Sequence, residues 1–302
     1  TSGACDFWQT EIRSDRMLSK TLFTLFCGVS LAAQTPSPLQ DSLKAARAAS
    51  QAGDIDTALN QYKSAFDLAA GSDASQIPGI AVEIATLLET GNRPADAEAF
   101  LLQAADSSEN KGLPASAEVP LANRLYHLGM PLSRAGQSTE ARQALERSLS
   151  ILRNAYGPDA LCLTTVLNTL ATVNAQSGDT GTAMQERAEA AQIHAKEAPS
   201  NATEPVLRVR RNIAPPRVLS KIDPAYSDEA RKIHYSGTVL LSVVVRPDGV
   251  PTDVHVLMPL GAGLDEKAVE AVNQWRFQPG ARKSDGHTVA VQATVEVNFR
   301  LL

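Results

Sequence analysis

Residue types that carry chemistry are thinly spread along this chain. Its five histidines stand at 127, 194, 234, 255 and 287, without the short spacings that set two ligands on one face of a helix or loop. The three cysteines, Cys5, Cys27 and Cys162, make no Cys-x-x-Cys pair. Asp223, Asp228 and Asp265 fall where turns or helix starts are expected, away from any serine, cysteine or histidine at nucleophile–base spacing. No glycine-rich phosphate loop occurs. The reading is non-enzymatic, with no catalytic residue, metal or cofactor. What the C-terminal end offers instead is backbone chemistry: a long strand pattern whose N–H and C=O groups could pair with another chain.

That pattern places Val289, Val291, Ala293, Val295, Val297, Phe299 and Leu301 on one face, and Gln292, Thr294, Glu296, Asn298 and Arg300 on the other. Such alternation describes a strand with one packed and one wet face, as antiparallel sheets allow. Upstream, Val239, Leu241, Val243 and Val245 alternate in the same way, and Pro247-Asp248-Gly249 supplies a turn. Val250 to Leu257 can return as the second strand of a hairpin. Leu264, Ala268, Ala271, Val272 and Trp275 follow at helical spacing, with Asp265 and Glu266 in the first turn and Pro279-Gly280 as the stop. The order is strand–strand–helix–strand, preceded by a short helix near Ser227 to Tyr235.

The same residues carry a resemblance. Pro224 and Tyr226, Gly237 and Val239, Asp248-Gly249, Leu264-Asp265, the Trp275-Arg-Phe-Gln-Pro279 block and Phe299 resemble the TonB C-terminal domain family. The resemblance covers 213–302 and marks Gly237, Gly249, Trp275, Phe277, Pro279 and Phe299 as structural. It implies a module that holds the TonB box of an outer-membrane transporter by strand addition, across Thr288, Ala290, Gln292, Thr294, Glu296, Asn298 and Arg300. In strand addition the backbone supplies affinity and alternate side chains supply selectivity. The other reading of the edge is that the connector, or a second copy of the domain in a homodimer, covers it.

The opposite end speaks to compartment. From Met17 the chain has Lys20, an apolar run from Leu22 to Ala33, and Ser30-Leu-Ala32 before Ala33. This is the pattern of a secretory leader at 17–33, with 1–16 read as upstream translation and the periplasm as destination. The run is short of the roughly 20 residues that span a bilayer, and Phe26 before Cys27 argues against lipidation. An uncleaved leader would attach the protein to the inner membrane. Cleavage leaves Cys162 alone, between Leu161 and Leu163, as a core thiol.

The region between, 38–198, repeats. Gly53, Gly91, Gly136 and Gly178 each join two helix-like runs, with an alanine at +5 (+6 after Gly91). Small residues recur at +12 after three of them: Ala65, Ser148 and Ala190. This pattern is similar to tetratricopeptide repeats, and the Asn154-Ala-Tyr-Gly-Pro-Asp159 junction resembles their kinesin-light-chain form; a plain helical bundle is the rival. The fold class is thus two-domain: an all-α tetratricopeptide-like array, then a small α+β domain with a three-stranded antiparallel sheet. Stacked helix pairs offer a peptide groove, for which Asn60, Lys63, Asn123, Arg124 and Asn168 are candidates.

Charge and connector complete the picture. Residues 36–198 hold 12 basic and 19 acidic side chains, net −7, which argues against nucleic acid as a partner. Prolines at 199 and 205, with arginines at 208, 210 and 211, mark an extended, mobile connector at 199–212 separating the domains, and Pro215, Pro216 and Arg217 continue the same composition beyond it. Two readings follow. One is a periplasmic TonB-like protein with a role in transmembrane transport, whose coupling to an ExbB–ExbD motor would need a retained membrane helix. The other is a tetratricopeptide adaptor whose TonB-like domain serves assembly only.

Overall fold

The structure, a computed structural model, describes residues 37–196 and 205–301. The leader expected at 17–33, the stretch 1–16, and 199–204 of the connector lie outside the described residues.

Eight helices pair head to tail: α1 (Pro38–Gln51), α2 (Ile55–Ser72), α3 (Ile77–Thr90), α4 (Pro94–Asn110), α5 (Ala115–Arg134), α6 (Ser138–Tyr156), α7 (Cys162–Gln176) and α8 (Thr180–Lys196). Local chemistry starts several of them. Ser37, Asp54 and Asp179 accept hydrogen bonds from backbone N–H groups three residues on, satisfying donors that a helix start leaves free. The turn of each pair explains the irregular repeat. Gly53, Gly136 and Gly178 take positive φ, whereas in the second pair Asn92 does so, at 57°. Counted from Asn92, Ala97 falls at +5 and Ala104 at +12, and both are fully buried like Ala58, Ala65, Ala141 and Ser148. The repeat is regular once its phase is set by the left-handed residue, and the small side chains let the paired helices close up.

The C-terminal region comprises β1 (Leu207–Arg208), β2 (Ile213–Ala214), β3 (Arg217–Ser220), α9 (Asp228–Ile233), β4 (Gly237–Val245), β5 (Pro251–Met258), α10 (Leu264–Asn273), β6 (Arg276–Gln278), β7 (Gly280–Arg282), β8 (Thr288–Val289) and β9 (Val291–Phe299). The main sheet runs β1-β9-β4-β5, with α10 packed on its apolar face; β2-β7-β8 and β3-β6 form two small ribbons. The hairpin turn forms as its residues dictate: Gly249 takes φ +79°, and Arg246 and Val250 close it with a 3.0 Å bond.

Two expectations are corrected. The helix read as running through Trp275 to Pro279-Gly280 ends at Asn273, and Arg276–Gln278 pair with β3 as β6. Periodicity reported burial of Trp275 correctly, but β3 and the Gly249 carbonyl, bonded by Phe277 N–H at 3.0 Å, take the backbone that follows. Second, array and sheet are not separate bodies. Pro36–Leu302 forms one compact unit, and one continuous apolar core joins α1–α8 to α10 and the main sheet. A Cβ on Gly261 would come within 2.8 Å of Val119 and Pro120, and one on Gly79 within 2.9 Å of Ile233. Glycine at these points is what permits the approach.

Candidate partner-binding edge

Strand β9 pairs antiparallel with β4 over its whole length, from Val245↔Val291 to Gly237↔Phe299, without a register shift. On its other side β1 runs parallel for two residues, Leu207↔Val291 and Arg208↔Gln292, and Leu207 N–H donates to the Ala290 carbonyl at 2.9 Å. In a strand the N–H and C=O of one residue point the same way and alternate from residue to residue. The even-numbered backbone groups therefore face outward, and the odd-numbered ones face β4. Past Gln292, the outward groups of Thr294, Glu296 and Asn298 meet no strand among the described residues.

The candidate residues divide accordingly. Thr288 is spent on the β7–β8 ribbon opposite Ala281, Ala290 is buried with its carbonyl taken by Leu207 N–H, and Gln292 is in register with Arg208. Thr294, Glu296 and Asn298 are exposed along the open stretch, and exposed Arg300 lies just beyond the strand. Polar side chains on this face are braced across the sheet: Gln292 Nε2 donates to Ser242 at 2.9 Å, and Thr238 to Asn298 at 2.6 Å.

The opposite edge is a poorer template. Pairing of β5 with β4 slips twice, between Leu240/Leu241 and Ser242/Val244, and Asp253 within β5 has φ +48°. Bulges of this kind twist an edge and end its ladder. The end of β5 also lies against α7, where Thr165 Oγ1 donates to the Leu257 carbonyl at 3.1 Å. Among the described residues, the regular edge left open past Gln292 is that of β9.

Behind it the marked structural residues hold the sheet. Trp275 and Phe277 are buried with ring centroids 6.2 Å apart, and Trp275 Nε1 donates to the Ile222 carbonyl at 2.9 Å. Phe299 meets Tyr226 edge to face at 5.5 Å, and the Tyr226 hydroxyl donates to the Tyr235 carbonyl at 3.0 Å. Gly237 opens β4 opposite Phe299, and half-buried Pro279 links β6 to β7. Any side chain on Gly249 would run into the Phe277 carbonyl.

The groove candidates scatter. Asn60 and Lys63 are exposed on α2, and Asn168 donates to Thr164 of its own helix at 2.8 Å. Asn123 and Arg124 come together on α5, in a cleft of about 640 Å³ whose other wall includes Tyr235, Thr238 and Glu296. Arg124 is paired with Glu89 at 2.8 Å. Sequence reasoning missed Asp265 as more than a helix-start acid. Its carboxylate accepts from Leu260 N–H at 2.7 Å, Gly261 N–H at 2.9 Å and the Tyr156 hydroxyl at 2.7 Å. It thereby ties the loop before α10 to the end of α6. Burial pushes its carboxyl above the usual range, opposed by those three donors. Burial likewise pushes the Cys162 thiol up to about 12, an inert core group. The available signal for Asp265 was the glycine-bearing loop before it, whose N–H groups need an acceptor.

Both parts of this architecture, the helical repeat array and the small sheet domain, are matched by known families. Residues 222–301 match the family described as Gram-negative bacterial TonB protein C-terminal, and residues 121–198 match Tetratricopeptide repeat. The chain therefore carries a TonB C-terminal domain preceded by tetratricopeptide repeats. It is 31% identical over 108 residues to Protein TonB of Klebsiella pneumoniae, covering 34% of this chain and 44% of that protein. It is likewise 31% identical over 84 residues to Protein TonB of Escherichia coli (strain K12), covering 28% and 34%. The match thus spans less than half of these relatives' length. Among solved structures, BtubC (BKLC) from P. vanneervenii is similar at 19% identity and a TM-score of 0.40, over 60% of this chain and 74% of that one. So low a score adds nothing to the family matches. Among the described residues no helix is long and apolar enough to cross a membrane, and no cluster of three metal-ligating side chains occurs.

Proposed function

We propose that this chain is a periplasmic TonB-like protein that binds an extended segment of an envelope partner at the outward edge of β9. The observation that carries this is the regular run from Ala293 to Phe299, whose outward side meets no strand among the described residues, beside an opposite edge that is bulged and packed on α7. Backbone pairing there needs no catalytic group, in keeping with a binding role. Resemblance to the TonB family makes the partner segment the TonB box of an outer-membrane transporter, with a role in TonB-linked transport. The array acts as the frame that holds the sheet and leaves this edge outermost, and the cleft at Asn123 and Arg124 is the part of its groove left for a peptide.

The adaptor reading has one observation in its favour: array and sheet share a core, so the domain does not move freely on a tether. The discriminating experiment titrates TonB-box peptides into the full chain, with Thr294→Pro as the paired control. Binding lost in the folded variant supports edge recognition. Unchanged binding in that variant moves the site elsewhere, and absence of binding by the unaltered chain favours the adaptor.

A further inference from the structure

The edge assigned above to a partner is partly taken by the chain itself. Leu207–Arg208 lie on β9 as a parallel strand, in the position an added strand would occupy. Their hold is slight. Two residues pair, Val209 next to them is 45% exposed, and by Ile213 the chain has turned away to join β7. The side chain of Leu207, only half-buried, packs on a small apolar cluster of Ile213, Val289 and Val291, which is separate from the main core. Neither residue of β1 belongs to the main core.

We propose that β1 is an internal stand-in for the partner strand, and that a partner binding along the full edge displaces it and places its own apolar side chain in the seat of Leu207. This rests on the strand-addition reading and specifies its regulation and one subsite. Opposite Val291 the seat is apolar, lined by Val289 and Ile213, whereas the next position, opposite Gln292, lies on the polar face and holds Arg208. The matching segment has an apolar residue followed by a polar or basic one. A tethered segment competes at an effective concentration of about millimolar order, so β1 reduces the apparent affinity of any partner to its intrinsic affinity multiplied by the fraction of time β1 is unseated.

The test uses a fluorescent peptide of residues 205–211 as probe and the full chain as receptor. Leu207→Asp should release β1 and bind the probe at least about tenfold more tightly than the unaltered chain. Because that variant could perturb the fold, a second, Arg208→Cys with Gln292→Cys, locks β1 in place. Oxidised, it should lose binding; reduced, it should regain it to within the few-fold loss expected of a change at Gln292. Adding Thr294→Pro to Leu207→Asp should abolish binding with the circular dichroism spectrum retained. Equal affinity in the unaltered, released and locked chains would overturn displacement by β1 and leave strand addition standing. Failure of the folded Leu207→Asp chain to bind, or binding that survives Thr294→Pro, would overturn both.

Discussion

At the scale of single residues, the informative groups are those that join distant parts of the chain. Tyr156 and Asp265 are 109 positions apart, yet share a 2.7 Å hydrogen bond. Tyr156→Phe leaves a buried carboxylate one donor short, and should cost about 1–3 kcal/mol in urea unfolding. The pH dependence follows from the raised carboxyl of Asp265. The folded chain takes up a proton at a pH where the unfolded chain has not, so this contribution to stability is fully present below the unfolded value of about 4. It is lost as pH rises through the higher folded value. Unfolding at pH 7 and pH 5 should show the unaltered chain gaining on Asp265→Asn at the lower pH; a gap that is constant or moves the other way would contradict it. Trp275 is the other residue of weight. It is 3% exposed, and Trp275→Ala should cost about 3–5 kcal/mol through lost apolar burial and the cavity left behind, and it removes the donor to the Ile222 carbonyl.

At the scale of elements, β9 makes its two edges distinguishable by residue parity. Proline at Thr294 or Glu296 removes an outward N–H and is tolerated as on an edge strand, whereas proline at Val295 or Val297 removes a donor to β4. The even variants should keep the circular dichroism of the parent and lose peptide binding; the odd variants should unfold or lose several kcal/mol. The reverse pattern would invert the assigned edge. Side-chain truncation is a milder change. Gln292→Ala and Asn298→Ala break the links to Ser242 and Thr238, but should weaken binding only a few-fold, because strand addition draws mainly on the backbone.

At the scale of the whole molecule, the shared core makes array and sheet one cooperative body. The unaltered chain should melt in a single calorimetric transition, with far-ultraviolet and tryptophan signals coincident. Gly261→Val attacks that union at its tightest point, where φ is +85° and Val119 and Pro120 leave no room for a side chain. It should split the transition in two, or lower its midpoint by several degrees. Independent melting of the unaltered chain would show instead that the contact is weak and the array merely tethers the sheet.

Local patterns carried most of the elements. Alternation exposed β4 and β9, the Pro247-Asp248-Gly249 turn is written in its residue types, and glycine–alanine spacing revealed the helix pairs, since each depends on neighbours within a few positions. The periodicity that marked Trp275 as buried also overran the end of α10, because a repeat of apolar residues reports the face and not the backbone partner. Array–sheet contact depends on two surfaces meeting through Gly79, Gly261 and Asp265, none of which announces its partner locally. The edge of β9 divides the same way. Its residues and faces could be read from alternation alone. Which backbone groups point outward, and how many of them β1 already holds, was set only when Leu207 found Ala290 in the folded chain, because a strand carries the same pattern whether its edge is open or taken.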